Sequence, residues 1–232
     1  SLSTAFDVST ASYVQLFSVA AQETTPSGMA FNNDGTKMFI IGYIGDDVNE
    51  YSLSTAFDVS SASFAGNSER FSVAAQENYP NGLGFNNDGT KMFVVGQAGD
   101  DVNEYSLSTA FDISSASYTQ VFSVAAQEVN PNGMAFNNDG TKMFVVGQSG
   151  DDVNEYNLST AFDISTASFG QLFSVAGQET VPSGVQFNND GSKMFVIGQV
   201  GKDVNEYSLG DPAVQTVCVN DAMTNLTNNT KG

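Results

Sequence analysis

A chain of 232 residues, 41% of them hydrophobic, can bury a substantial core, and no stretch approaches the roughly 18 consecutive apolar residues of a membrane-crossing helix. Its 26 acidic against 7 basic residues give a formal net charge of −19, with no histidine. Nucleic acid, whose binding needs Lys and Arg to neutralise phosphates, is therefore excluded as a partner, and no membrane insertion is expected. Cations, or partners with basic patches, would be attracted, although the same acidity also serves simply to keep a strand-rich surface soluble.

The chain opens on SLSTAFD, the start of a unit that recurs as residues 1–51, 52–105, 106–156 and 157–207. A period near 50 belongs to propellers and solenoids, and the content of the unit decides between them. In the first copy strand d is read at 16–21, strand a at 28–32, strand b at 37–42 and strand c at 48–53. Strands a and b belong to FNNDGTKMF, which begins at Phe31 and returns at Phe85 and Phe136, then as FNNDGSKMF at Phe187. Strand formers flank an Asn-Asp-Gly turn, so each copy reads as a tight antiparallel hairpin. The Asp34, Asp88, Asp139 and Asp190 column is explained by a turn needing positive φ rather than by ligation.

Strand b carries Met38-Phe39-Ile40-Ile41, apolar on both faces as in a strand sandwiched between sheets. Strand c alternates, with Tyr51 and Leu53 opposite Glu50 and Ser52. That gradient, buried early and wetter late, fits a blade running outward from an axis. The one length change lies in the second unit, where residues 65–70 stand in place of Val14, Gln15 and Leu16, and it marks a surface loop.

The segment PSGMAFNNDG from Pro26, followed by the apolar strand and Val48-Asn49-Glu50-Tyr51, resembles the YVTN-type β-propeller repeats, whose blades carry a similar Pro-x-Gly-x-Ala-Phe-x-x-Asp-Gly signature. The resemblance covers all four units and implies a fold, not a function. The chain departs from it in the polar stretch 3–12 and in the Asn-Asn before Asp-Gly.

The expected fold is all-β: a four-bladed β-propeller with four antiparallel strands per blade, occupying residues 1–210. The N-terminal strand d would pair with the C-terminal blade, close the ring and leave no open edge. The alternative is an eight-bladed ring from two chains, and a monomer is expected ahead of a dimer. Residues 211–232 read as a strand at 213–219 followed by a polar linker toward a further domain, with the single cysteine, Cys218, unable to form an intrachain disulfide. The chain reads as part of a larger secreted or cell-surface protein.

In such a ring the d–a connections and b–c turns emerge on one face. That face gathers Glu23 with Asp46 and Asp47, Glu77 with Asp100 and Asp101, Glu128 with Asp151 and Asp152, and Glu179 with Asp203, Lys202 breaking the pattern in the fourth copy. These are the candidate ligand-binding residues, and calcium, which takes six to eight oxygens, is the candidate cation there. The structural alternative is a solvated turn chosen for its backbone shape. Tyr43 and Tyr79, each present in one copy only, fall in connections of the same face.

Catalysis finds little support: there is no histidine, the lone cysteine has no partner, and four copies of the same residues do not readily converge on one active point. The expectation is therefore no enzyme and no cofactor beyond calcium. It is a binding or adhesion module presenting a repeated acidic face to a protein or glycan ligand, or else a scaffold propeller amplified from one blade.

Overall fold

The computed structural model describes residues 11–210. Four antiparallel sheets follow one another along the chain, which is an all-β propeller of four blades. Blade 1 holds β1 (Pro26–Phe31), β2 (Lys37–Gly42) and β3 (Asp47–Leu53), with a fourth strand broken into β4 (Ala62–Phe64) and β5 (Arg70–Ser72). Blade 2 runs β6 (Pro80–Phe85), β7 (Lys91–Gly96), β8 (Asp101–Leu107) and β9 (Ala116–Ser123). Blade 3 runs β10 (Pro131–Phe136), β11 (Lys142–Gly147), β12 (Asp152–Leu158) and β13 (Ala167–Ser174), and blade 4 runs β14 (Pro182–Phe187), β15 (Lys193–Gly198) and β16 (Val204–Ser208). The fourth strand of each complete blade is thus supplied by the following repeat.

Strands a, b and c lie within two residues of their expected positions. Strand d does not: its expected span corresponds to 121–126 in the third repeat, whereas β9 starts at Ala116 and ends at Ser123. The strand begins in the polar stretch before it because an outermost strand needs no apolar alternation. Beyond it, Gln127 and Glu128 donate their N–H groups to the Val124 carbonyl at 2.9 Å, turning the chain back toward the axis. In the second repeat the extra residues form a short 3-10 turn, Asn67–Glu69, that splits the strand. Arg70 beyond it donates to Asn49 Oδ1 at 3.0 Å and pairs with Asp47 at 3.4 Å.

The a–b turn places positive φ on Gly35 alone (72°), while Asp34 Oδ1 accepts from the N–H of Thr36 at 2.9 Å. Both asparagines that depart from the YVTN-type signature have structural work. Asn32 Oδ1 accepts from the Lys37 N–H at 2.9 Å, and Asn33 Nδ2 donates to the Asn87 carbonyl of the next blade at 2.5 Å. The SLSTAFD loop folds back on this turn, with the Phe57 N–H donating to the Gly35 carbonyl at 2.9 Å.

Blades meet by a repeated contact between strand b of one and strand a of the next. Phe39 packs on Phe85 at 4.6 Å, Phe93 on Phe136 at 4.6 Å and Phe144 on Phe187 at 4.3 Å. Ile41 and Val48 are buried against Leu83, Met92 and Val94 in the first of these layers, and the others repeat it. Lys37 clamps the periphery, pairing with Glu50 at 2.8 Å and donating to the Phe111 carbonyl of the next blade's loop at 2.9 Å; Lys91 repeats this with Glu104 and Phe162 at 2.9 and 2.7 Å.

The expected closure by the N-terminal strand is corrected. Among the described residues the last sheet has three strands, and residues 16–21 form no strand. Phe17 and Val19 instead pack against Met38, Ile40 and Tyr51 of blade 1. The Phe17–Tyr51 contact, 5.6 Å and 81°, matches Phe71–Tyr105 at 5.4 Å and 81°. The physical reason is that a strand-d segment packs against the blade ahead of it and hydrogen-bonds to the blade behind it. Among the described residues the first segment has the former and not the latter. The strand read at 213–219 lies outside the described residues.

Phe93→Ala, at a fully buried interblade position, is expected to cost about 3–5 kcal/mol in urea unfolding, and Phe169→Ala on the exposed strand d under about 1 kcal/mol. Equal losses would mean that the interblade layers are not the core.

Candidate functional site

The face that gathers the d–a connections and b–c turns also gathers the expected acidic residues, but most of their oxygens are turned inward. Glu23, Glu77, Glu128 and Glu179 are all buried. Each carboxylate bridges two loops of its own blade. Glu128 Oε1 accepts from the N–H of Asn130 at 2.7 Å and of Ser149 at 3.0 Å; Glu77 Oε1 accepts from Tyr79 and Ala98 at 2.6 and 3.1 Å. Glu23 and Glu179 accept from Thr25 and Val181 at 2.6 and 2.7 Å, and Glu179 Oε2 from Gly201 at 2.9 Å. The carboxylate lies so close to the end of strand b that a Cβ on Gly96 would sit 2.3 Å from the Glu77 carboxyl carbon, and the same holds at Gly42, Gly147 and Gly198. That glycine, present in every repeat, was the sequence signal for a buried Glu.

The aspartates divide into two kinds. Asp46, Asp100 and Asp151 take φ of 48°, 49° and 50°, and their carbonyls accept from the first residue after strand d, Val73, Val124 and Val175, at 2.8–2.9 Å. Lys202 adopts the same conformation at 55°, so backbone shape rather than charge fixes this column. Asp47, Asp101, Asp152 and Asp203 accept from the side-chain amides of Asn49, Asn103, Asn154 and Asn205 at 2.6, 2.6, 2.6 and 3.0 Å. Among the described residues no three carboxylates converge in a way that could hold a metal ion.

Burial and then the neighbouring Glu77 push the Asp101 carboxyl up to about 6, and burial raises Asp47, Asp152 and Glu77 as well. In the open fourth blade burial opposes, but the N–H donors of Val181, Gly201 and Val200 carry Glu179 below its usual value.

Inside this rim the four strands a line an axial cleft of about 400 Å³. Its walls include Ser27, Asn81, Asn132, Ser183 and Gln186 beside Met29, Leu83 and Met134, with no titratable side chain among them. A polar ladder runs round it: Ser27 Oγ donates to the Pro80 carbonyl at 2.9 Å, Asn81 Nδ2 to Pro131 at 2.8 Å and Asn132 Nδ2 to Pro182 at 3.0 Å. Asn81 Oδ1 is buried without a hydrogen-bond partner. Sequence reasoning missed these residues, because a Ser or Asn after proline reads as an ordinary turn.

Beside the cleft Tyr43 and Tyr79, from blades 1 and 2, stack at 4.5 Å with planes 26° apart. Tyr79 is 46% exposed. The repeats also differ here, with Thr25, Tyr79, Asn130 and Val181 at one position and Tyr43, Gln97, Gln148 and Gln199 at another. The opposite turns keep Asn-Asn-Asp-Gly throughout.

No protein-family model matches the chain, and no curated protein does. Solved structures match it as propellers. A Bacteroides fragilis protein assigned as a 6-phosphogluconolactonase is similar at 16% identity and a TM-score of 0.56, over 80% of this chain and 51% of that one. The periplasmic gluconolactonase of Pseudomonas aeruginosa is similar at 15% and 0.50, over 78% and 49%. A chain of the nidogen–laminin complex is similar at 13% and 0.53, over 79% and 60%. The chain therefore spans about half to three-fifths of the length of these structures. They carry the fold, while the YVTN-type likeness rests on its signature residues. The expectation that the chain is not an enzyme is corrected by the lactonase likenesses. It rested on the repetition of blades, and propellers of this architecture include proteins named as lactonases.

An acid whose folded pKa is raised is easier to protonate when folded, so its stability cost is absent at low pH and grows as pH rises from about 4 to 6. Asp101→Asn, which keeps an acceptor for Asn103, is expected to raise the melting temperature at pH 7.5 by roughly 2–4 °C and to leave it unchanged at about pH 4. Glu128→Ala, which strips the buried acceptor from the N–H groups of Asn130 and Ser149, is expected to cost about 1–3 kcal/mol, with Glu128→Gln milder. Urea unfolding checks the order.

Proposed function

We propose that this chain is a binding module of a secreted or surface protein, and that its ligand face is the rim beside the axial cleft, taking an uncharged glycan. The stacked Tyr43–Tyr79 pair carries the reading: two aromatic rings, each unique to its repeat, meet across a blade boundary with one of them well exposed. Aromatic surface next to a few fixed polar groups is the usual composition of a small-molecule site, and a sugar ring offers both an apolar face and hydroxyls. Gln186, an exposed residue of the cleft wall, supplies an amide group for such a hydroxyl. The charge of the ligand follows from the surroundings. No Lys or Arg lines the cleft, and the chain carries a net charge of −19, so a sugar phosphate is repelled.

A second reading is favoured by the likeness to the gluconolactonase: the cleft takes an uncharged lactone and opens it by hydrolysis. Turnover of glucono-lactone by the purified chain supports that reading, and its absence opposes it. For the binding reading, an array of neutral glycans is expected to yield a hit that Tyr79→Ala weakens about tenfold, near 1.4 kcal/mol, without lowering the melting temperature. An array blank across neutral glycans, or a hit indifferent to Tyr79, contradicts it.

A further inference from the structure

The two ends of the blade series are the two unmated halves of one interface. At each internal junction the strand-b isoleucine or valine and the strand-c valine of one blade are covered by the next. Ile41, Val95 and Val146 are 0% exposed, whereas the fourth member of the column, Ile197, is 49% exposed and Val204 beside it 47%. The opposite half shows the complement. Leu83, Met134 and Val185 are at most 7% exposed in strand a of blades 2, 3 and 4, whereas Met29 of blade 1 is 64% exposed.

The backbone tells the same story. Strand-a glycines bring successive blades into contact: a Cβ on Gly28 would lie 2.9 Å from the Asn81 carbonyl, and one on Gly133 2.7 Å from that of Ser183. Among the described residues Gly184 has only its own blade's Ile197 nearby. The polar ladder stops there too: among the described residues Ser183 Oγ keeps the bond to its own blade's Ile197 carbonyl, as Ser27 Oγ does to Ile41, but has no counterpart of the Ser27–Pro80 bond to a next blade.

The hydrogen-bonding edges are complementary as well. Among the described residues β16 lacks the fourth strand that β3, β8 and β12 each have. The segment around Phe17 already holds the position of a strand d relative to the blade ahead: Gln15 donates to Asp58 Oδ1 as Gln120 does to Asp163, and Phe17 meets Tyr51 edge-on. Among the described residues no sheet pairs with it.

We infer that a second copy of this chain completes both halves, the blade 4 face of each copy docking on the blade 1 face of the other to close an eight-bladed ring around one axial channel. The occupant is a second copy because each open face continues an interface this chain already makes three times with its own sequence. The Phe17 segment of one copy adds to the β16 edge of the other, which removes the exposed edge. The half-ring also accords with the solved propellers, of which the chain covers about half. The axial cleft, lined by four strands a and open at the side, becomes a closed channel lined by eight.

Multi-angle light scattering of the full 232-residue chain tests this across a dilution series. The expected mass is that of two chains, falling to one in Ile197→Asp and likewise in Met29→Asp. Both positions are exposed within the single chain, so both variants are expected to keep the native far-UV spectrum and a cooperative melt. A one-chain mass at every concentration overturns the proposal and assigns the faces to a different partner. A Met29→Asp chain that stays dimeric overturns the head-to-tail arrangement, and open-ended polymers overturn ring closure.

Discussion

Strand b of each blade offers a phenylalanine and a branched aliphatic side chain to strand a of the next. That contact, made between Phe39 and Phe85, Phe93 and Phe136, and Phe144 and Phe187, holds the blades in register about the axis. Strand b is apolar on both faces because it is covered by a sheet on each side, and strand a carries glycine because its neighbour's backbone comes within Cβ distance. The polar contacts follow the same geometry. Ser27, Asn81 and Asn132 link successive blades at the axis, Asn33 and Asn87 link the a–b turns, and Lys37 and Lys91 link the periphery. A rule that joins each blade to its successor has no built-in stop, which is why the ends matter as much as the middle.

The acidity of the chain is distributed by that architecture. Much of the carboxylate on one rim is structural: the Glu column fastens the d–a connection to the b–c turn through backbone N–H groups, and the Asp47 column holds the side-chain amide of the asparagine two residues on. Burying so many carboxylates raises several of their pKa values, so net charge overstates how much negative surface a ligand meets. What distinguishes one blade from another on this face is the uncharged residues, Tyr43 and Tyr79 above all. A scaffold held constant by backbone needs, with substitutions gathered around a cleft, places ligand chemistry on the varied positions.

The blades themselves were legible in the sequence because periodicity, Asp-Gly turns and a doubly apolar strand all report local backbone state, and strands a, b and c stand within two residues of their expected places. Strand d was misplaced because its outer half, around Ala116-Ser117-Tyr118, is solvent-facing and carries no apolar alternation. The closure failed for a different reason. Sequence shows that a lone d segment and a blade lacking one exist, but not that packing on Tyr51 and pairing with β16 demand two different neighbours. At the rim, residue types predicted exposed carboxylates, and the close approach of Gly42 and its equivalents to the Glu side chains, a three-dimensional fact, turned them inward. Tyr43 and Tyr79 were each visible as departures from the repeat, but their stacking was not, since it joins residues 36 positions apart across a blade boundary.

The claim on which the rest stands is that one interface, made three times inside the chain, is left half-made at each end. Peptide-resolved amide hydrogen exchange measured at high and low protein concentration addresses it most directly. The account predicts that β16 and the Phe17 segment exchange slowly when concentrated and rapidly on dilution, while β8 stays protected throughout. Protection of β16 equal to that of β8 at every dilution would contradict it, because the last blade would then be completed within a single chain.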